Sequence, residues 1–182
     1  MSCDLANGRL LAPCKSGLSG LKTVFFSPYP VTPTIDVDGQ VSDLGTAEVY
    51  RFEMAVGNGD LTETLTSAEE TGIAFITQVV NMVLQHIQNL DLPDLNSLIK
   101  GRWNIFVLDY ENNTRCVGLY NGATATGGDG VSGTAPADAK TVTQTFSANE
   151  NGYGQFLAPP AIPSTPYNPF EDMVGVTVTP AY

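Results

Sequence analysis

The sequence predicts a mainly β domain of two layers, with one short flanking α-helix and an extended, Pro-rich C-terminal arm. Three observations carry this expectation. Apolar and polar residues alternate over several short segments separated by Gly, Asn and Pro. Helix start and stop signals coincide at one place only, between Asp91 and Gly101. Six of the twelve prolines lie beyond Glu150, where they favour extended chain over packed elements. The 182 residues, 42% of them apolar, suffice for a single buried core, so residues 1–150 are expected to form the β domain and 151–182 the arm.

The elements follow in order. Leu21 to Phe26 (LKTVFF) reads as a strand stopped by the turn residues of SPYPVTP. Thr34 to Asp38 alternates and ends at Gly39. In Ala47 to Val56, Val49, Arg51 and Glu53 alternate against Tyr50, Phe52 and Met54. The turn Gly57-Asn58-Gly59-Asp60 then predicts a hairpin with Leu61 to Leu65. Gly72 to Gln88 fits two templates about equally. Phe75, Val79, Met82, Val83, His86 and Leu90 make a helical stripe, whereas Ile76, Val80, Met82 and Leu84 alternate against Thr77, Asn81 and Gln85. Asp91 and Pro93 start a helix whose apolar face is Leu95, Leu98 and Ile99. Trp103 to Asp109 and Thr114 to Tyr120 flank Glu111-Asn112-Asn113, a second hairpin. Gly122 to Ala135 (GATATGGDGVSGTA) reads as a flexible or partner-ordered loop. Lys140 to Ala148 is a strand with Val142, Gln144 and Phe146 on one face. Met173 to Thr179 suggests a last strand that pairs with a neighbouring molecule.

Charge and chemistry exclude several functions. Eight basic against nineteen acidic residues give a net charge of −11, which opposes tight nucleic-acid binding. No apolar run is long enough for a membrane span, and the first residues show no secretion signal, so the expected address is the cytoplasm where the chain is made. Cys3, Cys14 and Cys116 suit free thiols in a reducing compartment. The Gly-rich run has no GK[ST] ending and no lysine, and Asp129 would repel phosphate. His86, the one histidine, lacks a nucleophile motif. Asp36 and Asp38 begin like a calcium loop that no terminal Glu completes. Neither enzyme activity, cofactor nor metal is expected.

The order of segments carries a resemblance over residues 1 to 150. CDL, GR, PCK and GLK.VFF lie between Cys3 and Phe26. TETLTSAEETGIAF then spans Thr62 to Phe75, and Gly101-Arg102, VLDYENN, GATATGG and TVTQTFSANE follow. In this order the chain resembles the tail tube proteins of tailed bacteriophages, of the kind assigned in phages of Bacteroidetes-type hosts. The resemblance implies a β-sandwich virion protein, made in the host bacterial cytoplasm, whose sheets join around a ring, usually a hexamer. Rings then stack, contacting other tail or connector proteins and passing double-stranded DNA without binding it specifically. It also implies a long strand over Thr66 to Gln88 followed by a flanking helix, with Val56 to Thr64 or Gly122 to Ala135 bridging rings. The acidic balance would then line the lumen with carboxylates, or merely keep the free subunit from associating.

Under this reading the assembly residues are Gly57, Asn58 and Gly59 at a hairpin tip, and Gly127, Gly128, Gly130 and Gly133 in a free loop. Tyr167 and Phe170 would anchor the arm on a neighbour. The rival readings are a head decoration protein or tail terminator, and a β-sandwich carbohydrate-binding module. The module would need exposed aromatic platforms, and Trp103 opens an apolar strand instead.

Overall fold

A computed structural model describes residues 18–88, 91–135 and 137–180; Cys3, Cys14 and the CDL, GR and PCK motifs of the tail-tube resemblance lie outside them. The fold is mainly β, as expected, and built like a β-sandwich. Its strands are β1 (Leu21–Pro28), β2 (Thr34–Ile35), β3 (Val41–Asp43), β4 (Ala47–Glu53), β5 (Gly59–Ala68) and β6 (Ile73–Gln85). After helix α1 (Leu92–Leu98) come β7 (Arg102–Asp109), β8 (Thr114–Val117), β9 (Ala123–Val131), β10 (Thr141–Glu150) and β11 (Val176–Thr179). One sheet runs in the order β11-β4-β1-β7-β9-β10-β6-β5, with β8 beside β7, while β2 and β3 pair separately. Every pairing in the large sheet is antiparallel except β11 with β4.

This sheet folds upon itself at one corner. β7 and β9 share only two pairs, Arg102↔Thr124 and Trp103↔Ala123, after which β9 departs into the second layer. Gly118 and Gly122, with φ of +64° and +69°, make the tight turn before it. At the far end β5 comes round to β1, where its Leu61 packs into the cluster that holds Leu21. Two layers result, β4-β1-β7-β8 and β9-β10-β6-β5.

The core follows from residues on both faces of β1 and β7. Val24, Phe26, Ile105 and Val107 meet Val80, Met82, Leu84 and Phe146 of the second layer, with Leu95 and Leu98 of α1. Phe25, Phe106 and Leu108 point the opposite way and meet Val41, Leu44, Val49, Leu157, Phe170 and Met173. Burying each such side chain contributes roughly 1.5–3 kcal/mol. The helix forms where Asp91 and Pro93 predicted it, and the Trp103 indole N–H donates to the Leu98 carbonyl at its end (2.8 Å).

Several expectations are corrected. Gly72 to Gln88 resolves mainly as strand: β6 pairs on both sides, with β5 and β10, a setting that favours its β-branched residues. The single long strand implied over Thr66 to Gln88 is instead broken by a turn at residues 69–72, whose glycine Gly72 takes a φ of +63°, and its two parts fold back as the β5–β6 hairpin. β4 and β5 do not form a hairpin. β4 pairs with β1 and β11, β5 pairs with β6, and the turn at Gly57 crosses between layers. A turn signal reports that the chain reverses and does not report which strand it then meets. Thr34 to Asp38 is strand for two residues only, because the Asp36 carboxylate accepts the amides of Asp38 and Gln40 and tightens a turn.

The C-terminal segment lies on its own body. Amides of Cys116, Leu157 and Ala158 bond to carbonyls of Gln155, Thr114 and Val41, fastening it between β8 and β3. Phe170, expected to anchor on a neighbour, is 2% exposed inside its own chain, edge-on to Phe25 and Phe106 with ring centroids 5.2 and 5.4 Å away. Tyr167 is half-buried against the same cluster, and β11 pairs with β4 of the same molecule. The reason is physical: Phe25 and Phe106 project from the second face and need a cover. Phe170→Ala should therefore cost about 3–5 kcal/mol of unfolding free energy in urea titrations; a loss under about 1 kcal/mol would contradict this packing.

Candidate functional site

The layer β9-β10-β6-β5 is a wall with one covered face. Residues of even number in β6 and β10, such as Val80, Met82, Gln144 and Phe146, face the core and are buried. The other face packs against nothing among the described residues. It presents Thr62, Thr64 and Thr66 from β5, Phe75, Thr77, Val79, Asn81 and Val83 from β6, and Thr141, Thr143, Thr145, Ser147 and Asn149 from β10, so that hydroxyl and amide groups surround a few half-buried apolar side chains. Cross-strand bonds tie rows of these groups. The Thr145 hydroxyl donates to Asn81 (2.8 Å), whose amide donates to Asp60 (3.1 Å), and the Thr77 hydroxyl donates to Asn149 (3.0 Å). Asp60 and Asp129 are the carboxylates this face carries within its four strands.

Both margins of the wall are open. Beyond Thr124, β9 has β10 on one side and no strand on the other among the described residues. β5 likewise pairs with β6 alone, and past Leu61 its outer edge runs free to Ala68. Unpaired strand edges are rows of backbone donors and acceptors awaiting a partner. The β5–β6 hairpin also reaches past the end of β10, since Glu150 pairs with Ile76 and β6 begins at Ile73.

The sequence-predicted residues divide between this wall and its turns. Gly127, Gly128 and Gly130 are not loop: they lie within β9, paired with Thr145, Gln144 and Val142. Glycine is a poor strand former, so local propensity hides β9, and the long partner β10 supplies its register. Gly128 needs to be glycine, since a Cβ there would lie 2.8 Å from the Thr143 carbonyl oxygen. Gly133 alone keeps a turn role, with φ of +73°. Gly57 (φ +82°) and Asn58 sit in the β4–β5 crossing, where the Asn58 carbonyl accepts the Val83 amide (2.8 Å). Gly59 begins β5 hard against the Met54 side chain.

Sequence reasoning missed Gln144 and Leu65. Gln144 is 5% exposed, and its amide oxygen has no hydrogen-bond partner. It lines a groove of about 420 Å³ at the open edge of β9, with Ile99, Gly128, Gly130 and Val142. Leu65, 56% exposed, stands on the core-side face of the other edge. Each lies in a segment whose pattern was readable, but only the pairing shows that the edges are open.

Other polar groups are satisfied in structural roles. Glu63 accepts Arg115 (2.7 Å), Gln78 (2.9 Å) and the Gly154 amide (2.6 Å), binding β5, β8 and the C-terminal segment together. Buried Glu150 accepts the amides of Tyr120 and Asn121. Burial pushes the Cys116 thiol well above its ordinary range. His86 is exposed with φ of +56°. Among the described residues no His, Cys, Asp and Glu cluster suits a metal, and no helix is long and apolar enough to cross a membrane. No family model matches the chain, and no curated protein or solved structure matches it.

The β9–β10 turn is built on Asp138, whose carboxylate accepts the amides of Ala135 and Thr134 and the Thr134 hydroxyl, and these bonds hold its pKa below the usual carboxylate value. A depressed folded value means that the turn's support is present above the unfolded value of about 3.9 and is lost as pH falls through the lower folded one. Once the pH falls below this depressed value, the Thr134 and Ala135 amides should therefore lose protection relative to their intrinsic exchange rates at the same pH, and Asp138→Ala should abolish that change. Equal protection on both sides of the transition would refute it.

Proposed function

We propose that this chain is a non-enzymatic structural subunit that joins copies of itself edge to edge into rings. In this reading the rings stack as the tail tube of a tailed bacteriophage, and double-stranded DNA passes through the channel. The observation that carries the reading is the pair of open edges on opposite sides of one wall. β9, β10, β6 and β5 alternate in direction, so β5 of one copy and β9 of the next are antiparallel when all copies face the same way around an axis. Each junction then continues the sheet with one more antiparallel ladder, and a closed ring has no edge left. The order of sequence segments that resembles tail tube proteins supports the same conclusion independently.

The uncovered face of the wall lines the channel. Its threonines, serine and asparagines offer hydroxyl and amide groups, in place of the acidic lining that the net charge suggested. Most carboxylates stand elsewhere, as with Asp36 and Asp38 in the β2–β3 turn, Asp91 and Asp94 at α1, and Glu171 and Asp172 in the C-terminal segment. A surface with two carboxylates per copy and no Lys or Arg within its four strands gives a phosphate backbone nothing to hold, which suits passage.

Negative-stain electron microscopy of the purified chain tests this reading directly. Stacked rings or tubes with an open channel are the expected result. Dispersed monomers at every concentration would overturn it, and closed rings that never stack would point to the terminator role instead.

A further inference from the structure

We propose that Leu65 of one copy seats in the groove beneath β9 of the next, with residues 62–68 of the first paired against 124–131 of the second. This rests on the ring reading above and supplies its register. Antiparallel partners share a face, so Gly128 and Gly130 lie on the core side with Gln144 and Val142. Two glycines on that face leave no side chains over Ile99, Val142 and Gln144, and the resulting groove is open at the strand's free margin. On the opposite margin, Leu65 stands on the same core-side face, paired with buried Ile76 but itself exposed. A continuous sheet brings the two onto one side of the junction.

The stagger follows from chirality. The Val83 side chain lies on the channel face and its amide bonds to Asn58, so β5 lies to the right of an upward β6 seen from the channel. Strands in a closed barrel tilt with a right-handed sense, which displaces the copy on that side toward the β5–β6 tip. For tilts of 35–45° and strands about 4.8 Å apart, crossing four strands shifts the register by about four to six residues. An even shift keeps the faces matched. A shift of about six sets Leu65 opposite Gly128 and Thr62 opposite Val131, and, with the β9 bulge at Thr126 taking up one residue, Ala68 opposite Thr124. Both open segments are then covered from end to end, including the part of the β5–β6 hairpin that overhangs β10.

The test places a benzophenone amino acid at position 65 of the full chain and irradiates assembled protein mixed from isotope-labelled and unlabelled copies. Cross-links between copies to Ile99, Gly128, Gly130 or the 142–144 segment are expected. Assembled protein whose cross-links fall elsewhere, whether within one copy or on another surface, overturns this seat and leaves the ring reading standing. Unmodified chain that never assembles overturns the ring reading and the seat with it. Two further variants keep the outcome independent of the probe. Leu65→Asp removes the knob, and Gly130→Leu fills the groove, where a Cβ meets nothing closer than Val142 at 3.9 Å. Both should raise the concentration needed for assembly by about tenfold or more while leaving the monomer's melting temperature unchanged. Unchanged assembly by both variants would overturn the proposal.

Discussion

A strand that carries apolar side chains on both faces has to be covered twice. β1 and β7 are such strands, and their two-sided burial dictates the rest of the molecule. Val24, Phe26, Ile105 and Val107 require a cover that the β9-β10-β6-β5 wall and α1 provide. Phe25, Phe106 and Leu108 require another, which the C-terminal segment supplies with Leu157, Phe170 and Met173. The segment that looks like an arm in sequence is therefore part of the packing. Without it, aromatic surface from the middle of the sheet would face water.

Serving as a cover leaves the wall itself half used. Its inner face is buried, its outer face is wet, and its two margins are unpaired. Proteins generally blunt such edges with charges, prolines or bulges. Here β9 offers glycines, a single carboxylate and one bulge at Thr126 over Ala125 to Val131, and β5 offers threonines, a serine and Leu65 between Thr62 and Ala68, with its one acid, Glu63, turned inward to Arg115. These are edges shaped to pair. The glycines of β9 act through the side chains they lack, leaving the approach to Ile99 and Val142 clear.

Much of this fold was legible before any coordinates. The β7–β8 hairpin follows from Asn112, which does take a left-handed φ of +63°, and α1 begins with Pro93 in its first turn, although the Asp91 carboxylate accepts the Gln88 amide and not a helix amide. The face of β10 is written in Val142, Gln144 and Phe146. The rest depended on distant partners. β9 is strand because β10 pairs along it, against the propensity of its own glycines. The Gly57 turn looks like a hairpin tip but crosses between layers, since β1 already occupies the margin of β4. Phe170 is recognisable as an anchor, but the rings it meets, Phe25 and Phe106, are distant in sequence. The open edges were invisible in sequence, because an unpaired strand and a paired one have the same alternation.

The central claim is that identical copies satisfy the margins of the wall, and backbone amide exchange reports on that most directly. In the dispersed chain, amides of Thr62–Ala68 and Ala125–Val131 whose N–H groups point away from β6 and β10 should exchange at nearly unprotected rates. In assembled material the same amides should slow by orders of magnitude, while those of β1 and β7 change little. Margins already protected in the lone chain, or still unprotected after assembly, would contradict the account.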